Sequence, residues 1–304
     1  MRRAKSLVHL SLAIALNLGG FAGAHGQAKL SADEIVSRYI AASGGLQAWQ
    51  QVQTIAFSGK MQAGSGDRPP LPSPVLRRGA RPQITEPAPV SQLEVPFRMD
   101  LKRGRKTRLE IDFAGQTAVQ IYDGTSGWLK RPYLNRTDYQ PYSPEQAKVA
   151  ADQSDLDGPL VDYAKKGTVL ELAGAEKVDG RDNYKLKLTL KNGYSFHVWI
   201  DGQTFLQTKM EGTPRRLDGQ MRPVEIYMKD YRSVNGLKIP FVLETRVSYL
   251  APRAKQAQII TETITVENAV VNPQLDDSLF VKPKDEARPK SEVAADASRK
   301  ATVQ

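Results

Sequence analysis

His197, the aspartates from 152 to 157 and the adjacent pair Asp276-Asp277 are the residues whose types and spacing invite a chemical reading. Three histidines occur, but His9 and His25 lie near the N-terminus and His197 alone sits deep in the chain. A zinc site needs several ligands at set spacing, and no carboxylate stands suitably beside Phe196-His197-Val198. His197 therefore reads as a solvent-facing strand residue. Asp152, Asp155 and Asp157-Gly158 have the outline of a calcium loop. Counted from Gln153, however, its first ligand position is Gln and its bidentate position is Ala164, so the cluster reads as helix-capping. Nothing sets Asp276 apart from Asp277 as acid from base. There is no Cys, no Gly-x-Ser-x-Gly elbow and no phosphate-binding Gly-rich loop. The reading is a non-catalytic chain with no metal and no cofactor.

Aromatic side chains carry what chemistry is left. Phe113, Tyr122, Trp128, Tyr133, Phe196, Trp199, Tyr227 and Tyr231 all fall on or beside expected strands. In a closed sandwich they fill the core. On a strongly curved sheet roofed by few helices they line an apolar hollow of the kind that takes acyl chains. Tyr122, Trp128 and Trp199 are the candidate lipid-binding residues, although alternation alone does not say which strand face is concave.

The elements that must hold them follow from local signals. Ser31 and Glu34 form a capping box ahead of an apolar face at Ile35, Val36, Tyr39 and Ile40, and Gly44-Gly45 stop that helix. Trp49 and Val52 are expected in a turn leading to a strand at 52–61. Ser143-Pro144-Glu145-Gln146 opens a second helix, and Asp157–Lys166, closed by Gly167, is expected as a third. Tyr184–Leu190 alternates strictly, Asn192-Gly193 marks a two-residue hairpin turn, and Phe196–Asp201 returns. Further strands are expected at 97–102, 107–113, 117–122, 205–211, 222–231, 241–250 and 257–267. Strands joined by hairpins, without β-α-β alternation, predict an α+β fold that is mainly β: a large curved antiparallel sheet, or incomplete barrel, covered by short helices.

Organisation along the chain is equally readable. Arg2, Arg3 and Lys5 precede an apolar run from Leu7 to Leu18, then small residues at Gly19, Gly20, Ala22 and Ala24. This is the pattern of a cleavable signal peptide over 1–28, cut after Ala24 or Ala28. Its apolar run is about 12 residues, against the roughly 20 of a spanning helix. Residues 29–282 are expected as one domain, interrupted by an insertion at 64–96 that holds eight of the 19 prolines. Residues 283–304 are polar and charged and read as a disordered tail. The formal charge of +10 is spread out, as at Arg77-Arg78 and Arg215-Arg216, which suits a membrane surface better than nucleic acid.

Ile40-Ala41-Ala42-Ser43-Gly44-Gly45 with Trp49 and Val52 resembles the opening of the outer-membrane lipoprotein-sorting protein family. Tyr122–Trp128, Asp230–Pro240 and Asp277-Ser278-Leu279-Phe280 are similar to its later motifs, in the same order, so the resemblance covers residues 31–282 without the insertion. It implies a half-barrel closed by helices, and a periplasmic carrier of lipid or lipoprotein acyl chains. A sensor of envelope stress, partnered by an envelope membrane protein, is the alternative that the same fold implies.

Overall fold

The computed structural model describes residues 30–63, 93–217, 219–249 and 258–283. The expected signal peptide, residues 64–92 of the Pro-rich segment and all of the expected tail but Pro283 lie outside that set.

The chain builds one sheet of 13 antiparallel strands, in the order β6-β5-β4-β3-β2-β1-β13-β12-β11-β10-β9-β8-β7. Strands β1 (Thr54–Ala63), β2 (Leu93–Lys102), β3 (Lys106–Phe113), β4 (Gln116–Tyr122), β5 (Gly127–Arg131) and β6 (Arg136–Pro141) form one run of neighbours. Strands β7 (Val169–Val178), β8 (Arg181–Thr189), β9 (Ser195–Asp201), β10 (Gln207–Leu217), β11 (Gln220–Val234), β12 (Leu237–Tyr249) and β13 (Gln258–Val271) form the other. Pairing of β1 with β13 joins the two runs, and β6 and β7 are left as edges, so the sheet does not close. Bulges at Ser58/Gly59, Leu172/Gly174 and Gly212/Arg215 break the ladders and add local twist. The expected curved half-barrel is the architecture observed.

Helices α1 (Ala32–Ala42), α2 (Leu46–Gln51) and α3 (Pro144–Gln153) complete the fold. The capping boxes form as their sequences require. Glu34 N–H donates to Ser31 Oγ at 3.2 Å and Ser31 N–H to Glu34 Oε2 at 2.7 Å; Ser143 and Gln146 repeat the arrangement. Gly44 adopts φ 122°, and a Cβ there would stand 2.7 Å from the Gly236 carbonyl oxygen, so only glycine lets α1 end against β12.

Four local expectations need correction. Residues 46–51, expected as a turn, form α2, whose Trp49 Nε1 donates to the Ser43 carbonyl at 3.2 Å. Residues 157–166, expected as a helix, are a chain of turns: Gly158-Pro159 and the positive φ of Asp162 (52°) interrupt any helical run. The Asn192-Gly193 turn is a three-residue loop over 191–193, in which Leu190 N–H donates to Tyr194 O and Gly193 alone takes a positive φ, 82°. That is a type I turn with a glycine bulge, where a two-residue loop would need Asn192 at positive φ as well. Residues 93–96, read as the end of the Pro-rich insertion, belong to β2, with Pro96 opposite Lys60. Burial of Val95 and Phe97 outweighs the one ladder donor that Pro96 lacks.

Candidate functional site

Strand register sorts side chains onto two faces, because residues directly opposite each other in a ladder share a face. Ile55, Phe57 and Met61 of β1 stand opposite Leu101, Met99 and Val95 of β2, which stand in turn opposite Thr107, Leu109 and, by Phe97, Ile111 of β3. In the other direction Met61 meets Ile264, then Leu243, then Met228. Ile226, two residues from Met228, meets Met210, which meets Val198. This face carries the helices. Trp49 of α2 and Val52 just after it, with Leu156 and Val161 from the turns after α3, pack with Ile55, Leu101, Leu237, Phe241 and Val271 into one core.

Around and beyond this core, burial on the same face is partial. Phe57, Met61, Met99, Leu109, Ile111, Met210, Ile226, Met228, Leu243 and Ile264 on this face are half-buried. Four of the five described methionines are among them; the fifth, Met221, lies on the opposite face and is 58% exposed. An unbranched, polarisable side chain adapts to irregular apolar partners. At the end of this surface Arg215 Nη1 donates to Glu262 Oε2 at 2.6 Å. Arg215 is on β10 and Glu262 on β13, about 14 Å apart in a flat sheet. Both side chains lean inward over β11 and β12, as they do on a concave face.

The three aromatic candidates do not come together. Tyr122 lies on the helix-bearing face, opposite Thr107, buried, with its hydroxyl donating to Gly124 O at 3.1 Å. Burial pushes its phenol above the ordinary value. Trp128 stands opposite Ile121 and therefore on the other face. So does Trp199, opposite Lys209. Lys209 Nζ sits 3.9 Å from the Trp199 ring centroid and Lys185 Nζ 4.9 Å away, while the indole N–H donates to Glu176 at 3.2 Å. Trp199 is thus enclosed by charged stems on the convex side. Strand alternation could not foretell this, since it gives two faces and no curvature.

The residues weighed for chemistry are all engaged structurally. His197 is half-buried instead of solvent-facing, with Nδ1 3.0 Å from Glu211 Oε2. Asp155 and Asp157 cap no helix. Lys166 bridges them at 2.8 and 2.6 Å, and Arg103 Nη1 reaches Asp157 at 3.0 Å. Asp276 Oδ1 accepts from Ser278 N–H at 2.7 Å, and Asp277 pairs with Lys102 and Lys106. Among the described residues no three His, Asp or Glu side chains are grouped to hold a metal. Two cavities lie at strand ends, about 410 Å³ beside Asp182 and Asp201 and about 700 Å³ beside Lys102 and Asn272.

Comparison with solved structures identifies the fold. A LolA superfamily protein from Nitrosomonas europaea is similar over 83% of this chain and 98% of its own, at 12% identity and a TM-score of 0.51. A DUF1329 family protein from Desulfovibrio piger aligns over 83% of this chain and 97% of its own, with 17% identity and a TM-score of 0.48. No protein-family model matches the sequence, and no curated protein does. The likeness is one of fold, and the fold implied by the sequence motifs is the one found.

Proposed function

We propose that this chain is a periplasmic binding or carrier protein that holds the acyl chain of a lipid or lipoprotein on the helix-bearing face of its half-barrel, without chemical change to the cargo. The observation that carries this reading is the row of half-buried apolar residues on the helix-bearing face, with Met61 and Met99 against the edge of the core and Met210 and Met228 further along it. Burial of a methylene is worth about 0.8 kcal/mol, so ten contribute roughly 8 kcal/mol before the cost of ordering the chain. Micromolar affinity is reachable on apolar contact alone. Tyr122 remains in the reading as a wall residue at the β4 side. The fold likeness to a LolA superfamily protein supports it, as does the basic, apolar, small-residue order of residues 1–28, which directs export.

The test is titration of the delipidated protein with a fluorescent fatty-acid probe, together with mass spectrometry of what co-purifies from the native envelope. Saturable probe binding and a recovered acyl lipid or lipoprotein are expected. A protein that takes up no probe is not an acyl carrier. Recovery of an envelope membrane protein with no lipid would favour the sensor reading of the same fold.

A further inference from the structure

The apolar surface ends in charge that acyl binding leaves unused. Arg222 on β11 stands directly opposite Arg215 on β10, and like charges so placed repel. Val224, two residues along β11, stands opposite Val247, whose neighbour two residues back, Thr245, meets Glu262 on β13. All of them share the helix-bearing face with Met210 and Ile226. Arg215 is met by Glu262. Arg222 is not matched in the same way: its Nε is buried and makes no hydrogen bond. The side chain as a whole is half-buried, but a charged N–H buried without an acceptor is expensive, and native folds rarely keep one without a use.

We infer that Arg222, with Arg215 beside it, receives the oxyanion headgroup of an amphiphile whose hydrocarbon chain lies along the methionine-bearing surface. This rests on the acyl-binding reading and narrows it to anionic ligands. Guanidinium is suited to the task, since its fixed fork of donors matches phosphate and carboxylate oxygens. The chain supplies apolar contact, and the arginine end fixes which way round the ligand enters.

The experiment uses the full mature chain loaded with the neutral apolar probe N-phenyl-naphthylamine, displaced by lauryl phosphate or lauryl maltoside below their micelle concentrations. Chain length is equal, so the headgroup is the variable. Lauryl phosphate is expected to displace the probe at about tenfold lower concentration, the worth of one charge-assisted hydrogen bond. Arg222→Met should bring the two within about twofold, each potency being read against the variant's own probe Kd. In the wild-type protein the preference should shrink as salt is raised, a readout that needs no variant to fold. Equal potency on the wild type, a preference that survives Arg222→Met, or one that salt does not move overturns the proposal. Calorimetric titration with inorganic phosphate separates the sources: no saturable binding is expected, and binding abolished by Arg222→Met would assign the site to free phosphate instead. Failure of the probe to bind sinks the acyl reading and this inference together. Probe binding without headgroup preference sinks the inference alone.

Discussion

Arg215 on β10 and Glu262 on β13 meet at 2.6 Å above the two strands that separate them. The pair acts as a strut across the open end of the hollow, tying strands that share no ladder. Its side chains keep 43% and 20% of their exposure, so solvent screens the attraction. Glu262→Gln should therefore cost no more than about 1 kcal/mol in urea unfolding. Hydrogen exchange is the more sensitive readout, because amides at the β10–β11 tip should lose protection while those of β1 and β2 do not. Uniform loss across the sheet would show that the pair is no local strut.

Two glycines should prove far less replaceable than their neighbour. A Cβ on Gly59 would lie 2.0 Å from the Thr265 carbonyl oxygen, and one on Gly44 2.7 Å from that of Gly236. Gly45 has a positive φ of 92° but nothing within 4 Å of its Cβ position. Gly45→Ala should cost about 1 kcal/mol through backbone strain alone. Gly44→Ala and Gly59→Ala should each exceed roughly 3 kcal/mol, since backbone must move in both. Chemical denaturation of the three variants checks the ranking, and a mild Gly59→Ala would mean that the β1–β13 bulge is dispensable.

Asp155 and Asp157 share Lys166 but respond oppositely to pH. Burial pushes Asp157 up, yet the hydrogen bonds from Lys166, Asp155 and Arg103 more than offset it, leaving its carboxyl below the ordinary range. For Asp155 burial prevails over the pull of Lys166 and holds it above that range. The depressed Asp157 stabilises the fold above its unfolded pKa, and that contribution fades as pH falls through the lower folded value. Asp155 has the reverse sign: its contribution is complete below the unfolded pKa and is lost as pH rises through the higher folded value. At neutral pH Asp157→Asn should cost about 2 kcal/mol, discounted for the part-exposed Arg103, and Asp155→Asn less than about 1 kcal/mol. The Asp157→Asn deficit should shrink on acidification. A larger neutral-pH loss from Asp155→Asn would reverse the assignment.

How much of this was legible beforehand depends on how local each signal is. Ser31 with Glu34, and Ser143 with Gln146, satisfy helix N–H groups within four residues, so α1 and α3 could be read directly. Strict alternation at Tyr184–Leu190 likewise announced β8. The segment 157–166 misled because its order is non-local: Arg103, 54 residues away, holds Asp157, and Leu156 and Val161 pack into the core. The proposed binding face was hidden for a related reason. Alternation in Arg222-x-Val224-x-Ile226-x-Met228 marks a shared face, but which face curves inward depends on pairings such as Met61 with Ile264, some 200 residues apart. Aromatics drew attention as large apolar groups, whereas methionines in several separate strands gave no local pattern.

That contrast supplies the sharpest functional prediction. If the helix-bearing face holds the acyl chain, polar substitution there should weaken fatty-acid probe binding, and truncation on the opposite face should not. Met99→Gln and Met228→Gln each exchange an apolar contact for an amide in a half-buried place, and each should raise the probe's Kd about tenfold. Trp128→Ala, on the convex side opposite Ile121, should leave Kd within about twofold, although it removes far more apolar surface. Trp199→Phe should do the same and disturb stability instead, because the indole loses its bond to Glu176 and part of its contact with Lys209. Fluorescence titration of the four variants at matched folded fraction measures the effect. Weaker binding in Trp128→Ala with Met99→Gln unchanged would move the site to the other face and remove the concave-wall reading.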